Sequence, residues 1–302
     1  MHSPELSPHL ISVIIPCYNH AHYLANAIDS VLAQSHQPVE IIVVDDGSTD
    51  NTKGIAESYP HVIYIYQSNA GLSAARNTGM ENSKASYLLF LDADDWLLPD
   101  ALSINLHYLQ QHTEVAFVSG AYTLVYEPKN QVWDVKKEFT ENHYCHLLES
   151  NYIGMHATVL YQRWVFDHFR YDTSLKACED YDLYLNVARR FSIAHHTSLI
   201  AVYRIHTANM SSNFVLLLHS ALTVLERQAG NLYNDKEKQC FQNGKAFWKK
   251  YYTEKIYNQL LFEFYEEGKA PDKKALLALK DHNQVLYYKF INERSTVLKK
   301  GG

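Results

Sequence analysis

Residues 87–95 read Tyr-Leu-Leu-Phe-Leu-Asp-Ala-Asp-Asp. An unbroken apolar run closed by acids is the pattern of a strand buried on both faces, as in a parallel sheet with helices above and below. The acids then fall at the carboxyl end of that strand, where open parallel sheets bind ligands. Asp92, Asp94 and Asp95 crowded there repel one another and raise each other's pKa unless a cation sits among them. The residues alone fit two readings: a divalent-metal site that holds a phosphorylated substrate, or a polar turn that opens the helix after Pro99. The flanking pattern favours the first.

That pattern is an alternation of strands and helices. Ile11–Pro16, Val39–Val44, Val62–Tyr66 and Ser86–Leu91 read as short apolar strands. Between them Tyr23–Gln34, Asp50–Tyr59 and Ser73–Asn82 have helical spacing, with Asp50 as the expected N-cap of the second. Asp100–His112 continues as helix and Val115–Tyr126 as β-structure. This order predicts an α/β fold with a mostly parallel, Rossmann-like sheet and helices on both faces. Residues 127–150 are less regular. Thr158–Phe169 reads as strand then short helix, Glu179–Phe191 as amphipathic helix, and Ile193–Arg204 as extended chain. Beyond Asn213 the pattern is helical, with breaks near Asn231–Asp235 and Gly268–Asp272. Two domains are expected, residues 1–213 and a helical extension over 214–302.

Charge separates these parts. Residues 1–214 hold 12 Lys/Arg against 23 Asp/Glu, whereas residues 215–302 hold 15 against 10. An acidic body argues against nucleic acid as its ligand. The basic, aromatic-rich tail suits an anionic membrane surface, a second copy of the chain, or an ordinary solvated helical face. The first ten residues lack the basic and apolar blocks of a signal peptide, and no apolar run reaches the roughly 18 residues that span a bilayer. Cys17, Cys145, Cys178 and Cys240 form no CxxC pair and suit a reducing compartment. A cytoplasmic location, peripheral to the membrane at most, is expected.

Four clusters carry chemistry. Val43–Asp50 contains Asp45 and Asp46 just past a strand, placed to accept hydrogen bonds from a base or ribose or to form an Asx turn; Gly47 lets the chain turn sharply. In Asn69–Gly79, small residues bring a helix close to the sheet, and Arg76 and Asn77 lie near its start; the Arg76 fork suits a diphosphate or a salt bridge. The third cluster is Asp92/Asp94/Asp95. The fourth joins Glu179-Asp180-Tyr-Asp182 to Tyr203-Arg204-Ile-His206-Thr-Ala-Asn209. Acids at a helix start are at home with the macrodipole, and equally placed to deprotonate a hydroxyl. A neutral His206 suits a metal shell, a diphosphate, or a satisfied surface position.

Taken in order, Ser12–Asn19, Val43–Asp50, Asn69–Gly79, Leu91–Asp95, Glu179–Asp182 and Tyr203–His206 resemble the family 2 glycosyltransferases, the bacterial inverting type with a GT-A fold. The resemblance covers roughly residues 11–212. It implies that Pro16, Tyr18, Asn19, Asp45, Asp46, Arg76, Asn77, Asp92 and Ala93 meet the nucleotide-sugar. It implies a divalent cation, Mg2+ or Mn2+, on Asp94 and His206 with Asp92 beside it, and Asp180 as catalytic base seconded by Glu179. The family often has a glycine pair upstream of the Glu-Asp motif, where this chain reads Asp167-His168-Phe169-Arg170-Tyr171-Asp172. The acceptor side is therefore expected to differ.

The function so implied is transfer of a sugar from a nucleoside-diphosphate donor, UDP above all, to a hydroxyl of a glycan or lipid-linked acceptor in surface polysaccharide synthesis. Two alternatives stand beside it: a sugar nucleotidyltransferase, disfavoured by Cys17-Tyr-Asn-His-Ala where a Gly-rich basic loop belongs, and an inactive scaffold subunit, disfavoured by intact Asp94, Asp180 and His206. The helical tail is expected to meet acceptor, membrane or a second copy.

Overall fold

A computed structural model describes residues 7–206 and 212–300, with side chains over 9–206 and 212–294. The chain divides into two compact units. The first comprises Met1–Tyr144, Asn151–Leu175 and Asp182–Thr207; the second comprises Cys145–Ser150, Lys176–Tyr181 and Ala208–Gly302.

The first unit is built on a nine-stranded mixed sheet. Strand β1 (Ser7–Cys17) lies parallel to β2 (Val39–Asp45) on one side and to β4 (Ala85–Phe90) on the other, and β2 pairs in parallel with β3 (Val62–Tyr66). The remaining strands are β5 (Trp96–Leu97), β6 (Phe117–Tyr126), β7 (Gln131–Val135), β8 (Val159–Gln162) and β9 (Ala194–Ile205). The order is β3-β2-β1-β4-β8-β6-β9-β5, with β7 on β6. The expected parallel sheet is thus found in the β3-β2-β1-β4 half. Beyond β4, the pairs β4–β8, β6–β8, β6–β7 and β5–β9 are antiparallel and β6–β9 is parallel.

Alternation along each strand sends side chains to two cores. Ile11, Val13 and Ile15 pack with Leu24, Ile28 and Val31 of α1 (Ala21–Leu32) and with Leu102, Leu106 and Leu109 of α4 (Ala101–Gln111). Ile14, one step out of phase, meets α3 (Leu72–Asn82) on the other face. A Cβ built on Gly79 would lie 2.4 Å from Ile14 Cγ2 and 3.1 Å from Val44 Cγ2, so only glycine lets this helix lie so near the sheet. An aromatic group fills out that second face: Phe90, Phe117, Tyr161, Tyr171 and Tyr184 are all buried.

Helix α2 (Thr52–Glu57) starts later than expected, and its N-cap position falls on Asn51 rather than Asp50. Asp50 instead accepts from Thr52 N at 3.1 Å and reaches Ala21 N, the first N–H of α1, at 2.9 Å. One carboxylate holds two helix starts because its two oxygens point to different segments. Burial raises its pKa, but the hydrogen bonds from the Thr52 hydroxyl and from Ala21 and Thr52 N–H outweigh that and hold it below the usual range.

Two elements straddle the units: α5 (His143–Glu149) and α6 (Glu179–Arg190). The second unit is otherwise helical: α7 (Phe214–Gln228), α8 (Asp235–Tyr265), α9 (Lys273–His282) and α10 (Gln284–Lys300). The expected breaks hold caps. Asn213, Asn234 and Asp272 accept from Leu216 N, Glu237 N and Ala275 N at 2.9–3.1 Å. Leu218, Val224 and Leu225 of α7 are buried with Trp248, Tyr252, Ile256 and Leu260 of α8. A Cβ on Gly244 would come 1.8 Å from Leu148 O, so α8 crosses the Leu147–Ser150 backbone closely.

Candidate functional site

Strand order reverses direction at β1: the chain builds outward through β2 and β3, then returns to lay β4 on the opposite side. The crevice outside the carboxyl ends of strands at such a reversal is the usual ligand site of an open α/β sheet. Here those ends carry Tyr18 and Asn19 after β1, Asp45 and Asp46 after β2, and Asp92–Asp95 after β4.

Each acid after β4 has a different fate. Asp92 Oδ1 accepts from Arg76 Nη2 at 2.7 Å; the arginine is 2 % exposed, whereas the Asp92 side chain is 34 % exposed. The pair therefore presents one half-open carboxylate braced from below. Asp94 Oδ2 lies 3.0 Å from His206 Nε2, both residues being buried. Asp95 turns inward and its Oδ1 accepts from Arg204 N at 2.9 Å. Burial, then the charges of Asp94 and Asp92, push its pKa well above the carboxylate range. Ala93 between them is buried.

The two-residue strand β5, which sequence reasoning missed, makes this possible. Trp96 pairs with Val202 and Leu97 with Ala201, so the acidic loop is zipped to the end of β9 and Arg204 and His206 arrive beside it. Arg204 was also missed. Its Nε donates to Asp94 O at 2.8 Å and its Nη2 to Asn26 Oδ1 at 2.9 Å, it pairs with Glu127, and its guanidinium lies 4.7 Å from the Tyr23 ring and 4.6 Å from the Trp96 ring. The available signal was electrostatic: three carboxylates in four residues need positive partners, and the only basic residue in the closing motif is Arg204. His206 itself sits among rings, 5.0 Å from Tyr23 and 5.9 Å from His20. Thr207 and Asn209 of the same motif lie outside the described residues.

Other expected contacts have internal roles as well. Asp45 accepts from Ser48 N at 2.7 Å and Tyr64 OH at 2.8 Å. Asp46 accepts from Gln67 Nε2 at 2.7 Å and from Ala70 N and Gly71 N at 2.9 Å, which ties it to the start of α3 and so sets Arg76. Asn19, at φ 56°, donates from its N–H to Ser48 Oγ and accepts from Thr49 N at 2.8 Å, fastening the first loop to the second. The Asn77 amide is bound by the Tyr171 backbone: its Nδ2 donates to Tyr171 O at 2.9 Å and its Oδ1 accepts from Tyr171 N at 3.1 Å. Pro16 is buried beside Val44, and Tyr18 is 49 % exposed at the crevice edge.

The structure thus brings Asp92, Asp94, Arg76 and His206 to one sheet edge. Glu179 and Asp180 belong to the second unit. They open α6 directly after Cys178, whose backbone is left-handed at φ 62°. Glu179 is buried, and Asp180 Oδ1 accepts from Tyr181 N at 2.7 Å. The Tyr181 hydroxyl donates to Leu147 O and accepts from Trp248 Nε1 at 3.4 Å, which anchors this segment within its unit.

Among the described residues no three His, Cys, Asp or Glu side chains form a ready-made metal cage. Asp94 and His206 place a carboxylate oxygen and a ring nitrogen side by side. A carboxylate with one imidazole could hold a divalent cation whose other positions go to water and substrate phosphate, the carboxylate suiting Mg2+ or Mn2+ and the imidazole the more nitrogen-tolerant transition metals.

A model of Glycosyl transferase family 2 matches residues 12–169. An uncharacterized glycosyltransferase of Rickettsia prowazekii (strain Madrid E) is 35% identical over 67% of this chain and 66% of its own length. TuaG of Bacillus subtilis (strain 168), a glycosyltransferase provisionally assigned to teichuronic acid biosynthesis, is 30% identical over 68% of this chain and 82% of its own length. The chain spans just under two thirds of the Rickettsia prowazekii relative, and 31% of a Rickettsia conorii one. Among solved structures, Staphylococcus aureus TarS 1-349 in complex with UDP-GlcNAc aligns with TM-score 0.63 at 18% identity, covering 93% of this chain and 82% of that one. The mannosyltransferase PcManGT of Pyrobaculum calidifontis, in complex with GDP-Man and Mn2+, aligns with TM-score 0.60 at 16% identity, covering 97% and 84%. These two carry the fold, which is GT-A, and the family model with its relatives carries the classification: the chain belongs to glycosyl transferase family 2.

Proposed function

We propose that this protein is an inverting, metal-dependent glycosyltransferase that moves a hexosyl group from a UDP-sugar to a hydroxyl of a glycan or lipid-linked acceptor in surface polysaccharide synthesis. The observation that carries the reading is the pairing of His206 with Asp94 beside the Arg76–Asp92 pair, at the carboxyl ends of the parallel strands. The UDP preference draws on the TarS complex and the acceptor class on TuaG.

The residues divide the work. Tyr18 and the Asp45–Asp46 turn would receive base and ribose, with Pro16 and Asn19 shaping that end. Asp92, braced by Arg76 with Asn77 behind it, would hold the ribose, and Ala93 would leave room beside it. Asp94 and His206 would hold Mg2+ or Mn2+, which when bound offsets the charge gathered on the departing diphosphate. Arg76 adds positive potential from a buried position, where it is weakly screened. Asp180 would take the proton from the acceptor hydroxyl as it attacks the anomeric carbon, with Glu179 in support. A single displacement requires no covalent sugar–enzyme intermediate, so no nucleophilic Ser or Cys is assigned.

Residues 214–302 would form an extension for acceptor or membrane contact. No helix among the described residues is long and apolar enough to cross a membrane. On α8, exposed Phe247 and Tyr251 stack at 5.8 Å with Lys255 5.5 Å from the Tyr251 ring, a pairing suited to the surface of an anionic bilayer.

Incubation with a panel of nucleotide-sugars and Mn2+, without acceptor, tests the reading. Slow release of free UDP from one donor, abolished by EDTA and restored by divalent salt, is expected. Release of pyrophosphate instead, or turnover indifferent to exhaustive chelation, would overturn it.

A further inference from the structure

Beneath the site lies a polar triad inside an apolar layer. His156 opens the 3-10 turn that leads into β8 and is 4 % exposed. Its Nδ1 lies 2.7 Å from Tyr184 OH on α6, and its Nε2 lies 2.7 Å from Tyr171 OH. Phe90 packs its ring 5.3 Å from His156 and 5.0 Å from Tyr171. Phe90 is the residue of β4 two places before Asp92.

Apolar packing does not call for this group. Buried polar atoms cost free energy unless every one is paired, and a phenylalanine would fill the same space without that demand. A neutral imidazole offers one N–H and one acceptor nitrogen. One tyrosine hydroxyl therefore accepts and the other donates, and neither ring can turn without breaking a bond. Burial, then the Arg76 charge, hold the His156 pKa well below the ordinary value, which keeps the imidazole neutral.

Tyr171 is consequently fixed at three points: its hydroxyl by His156, and its N–H and C=O by Asn77. The Arg76 guanidinium lies 5.6 Å from this ring and holds Asp92 on its far side. The contacts run without a gap from Tyr184 through His156, Tyr171 and Arg76 to Asp92.

We infer that His156 is a positioning residue for the donor site: it locks Tyr171 beneath Arg76, and so sets the angle at which Asp92 meets the nucleotide-sugar. The inference rests on the nucleotide-sugar reading of that site. Its signature is an order of substitutions. A glutamine at 156 keeps one donor and one acceptor but loses ring packing, whereas a phenylalanine keeps the packing and loses both hydrogen bonds. Positioning by hydrogen bonds ranks glutamine above phenylalanine; plain core packing ranks them the other way.

The experiment uses the full chain. UDP binding with saturating Mn2+ is measured by calorimetry for wild type, His156→Gln, His156→Phe, Tyr171→Phe, Arg76→Lys and the His156→Phe/Arg76→Lys pair. The Arg76 Nε–H resonance is followed by NMR in the same proteins without nucleotide. His156→Phe and Tyr171→Phe are expected to weaken UDP binding about tenfold, the scale of one buried hydrogen bond, that between His156 and Tyr171, which both variants remove. His156→Gln should stay within about threefold of wild type, and the pair should bind within about twofold of Arg76→Lys alone, because coupled residues are not additive. The Arg76 resonance should move in both His156→Phe and Tyr171→Phe. An unmoved resonance, losses that multiply in the pair, or phenylalanine outperforming glutamine would each overturn the inference. If wild type bound no UDP, the nucleotide-sugar reading would fall, and the resonance would still decide whether His156 positions Arg76. Tyr171→Phe removes a single oxygen and keeps the test open should His156→Phe fail to fold.

Discussion

His206 Nε2 lies 3.0 Å from Asp94 Oδ2, joining residues 112 positions apart in the chain. The contact follows from two backbone pairings, Trp96 with Val202 and Leu97 with Ala201, which bring the end of β9 to the acidic loop. It is therefore a property of strand register.

Substitution of either member should change the metal dependence of transfer before anything else. Loss of even an outer partner of a metal ligand typically costs about 10–100-fold in metal affinity, and loss of a ligand at least as much. His206→Asn is expected to raise the Mn2+ concentration for half-maximal UDP release by that factor, and Asp94→Asn by more. Titration of Mn2+ at fixed donor measures it. An unchanged half-saturation in His206→Asn would remove the histidine from the metal shell.

Asp180→Asn should separate chemistry from binding. Removing a positioned general base costs about 10²–10⁴ in rate, while UDP affinity by calorimetry should stay near wild type. Glu179→Gln should cost less. Wild-type turnover in Asp180→Asn would show that another group takes the acceptor proton.

The turn that presents Glu179 and Asp180 contains backbone strain. Cys178 is held at φ 62°, where a non-glycine residue is disfavoured by about 1–2 kcal/mol and a β-branched one by more. Cys178→Val should therefore lower stability further than Cys178→Gly, although valine keeps more of the buried volume. Urea midpoints of the two variants test the order, and a more stable valine variant would mean that the left-handed turn is absent.

Acid should destabilise the first unit through its buried histidines. His196 accepts at Nδ1 from Ser198 N at 3.2 Å, and its Nε2 lies 2.8 Å from Asn105 Oδ1, which fixes a neutral tautomer. Burial, then His195, lower its pKa to about 4. The unfolded chain, with an ordinary imidazole, takes up the proton first. The stability is complete above roughly pH 6.5 and is lost as pH falls toward the folded value, by about 1.4 kcal/mol per unit at most. Urea midpoints should fall between pH 7 and 5, and His196→Gln should flatten part of that slope. A pH-independent midpoint across that range would contradict the buried neutral state.

Much of the placement of acids at the sheet edge was legible because it is local. Apolar runs closed by acids announce strand ends, and strand ends in an open sheet share an edge, so Asp45, Asp46, Asp92 and Asp94 could be placed at that edge by position alone. The Asn and Asp caps of α7, α8 and α9 fell at the predicted breaks for the same reason: a helix start is decided by the few residues around it. Long-range partnership was not legible. Asp50 looked like a helix cap and instead holds two helices. Asn77 looked like a ligand contact, and its amide is engaged by the Tyr171 backbone. β5 carried too little local pattern to be seen, since two residues have no periodicity, and Arg204, visible in its motif, was given no partner.

The sequence by itself determined the strand-helix order, the placement of acids at strand ends and the family. Only the tertiary structure decided which partner each acid receives: the Arg76 guanidinium for Asp92, the His206 ring for Asp94 and the Arg204 backbone N–H for Asp95. The physical reason is that burial and strand pattern are written in neighbouring residues. Partnership depends on how a distant helix packs, as for Arg76, and on register between distant strands, where a shift of one residue turns every side chain to the other face.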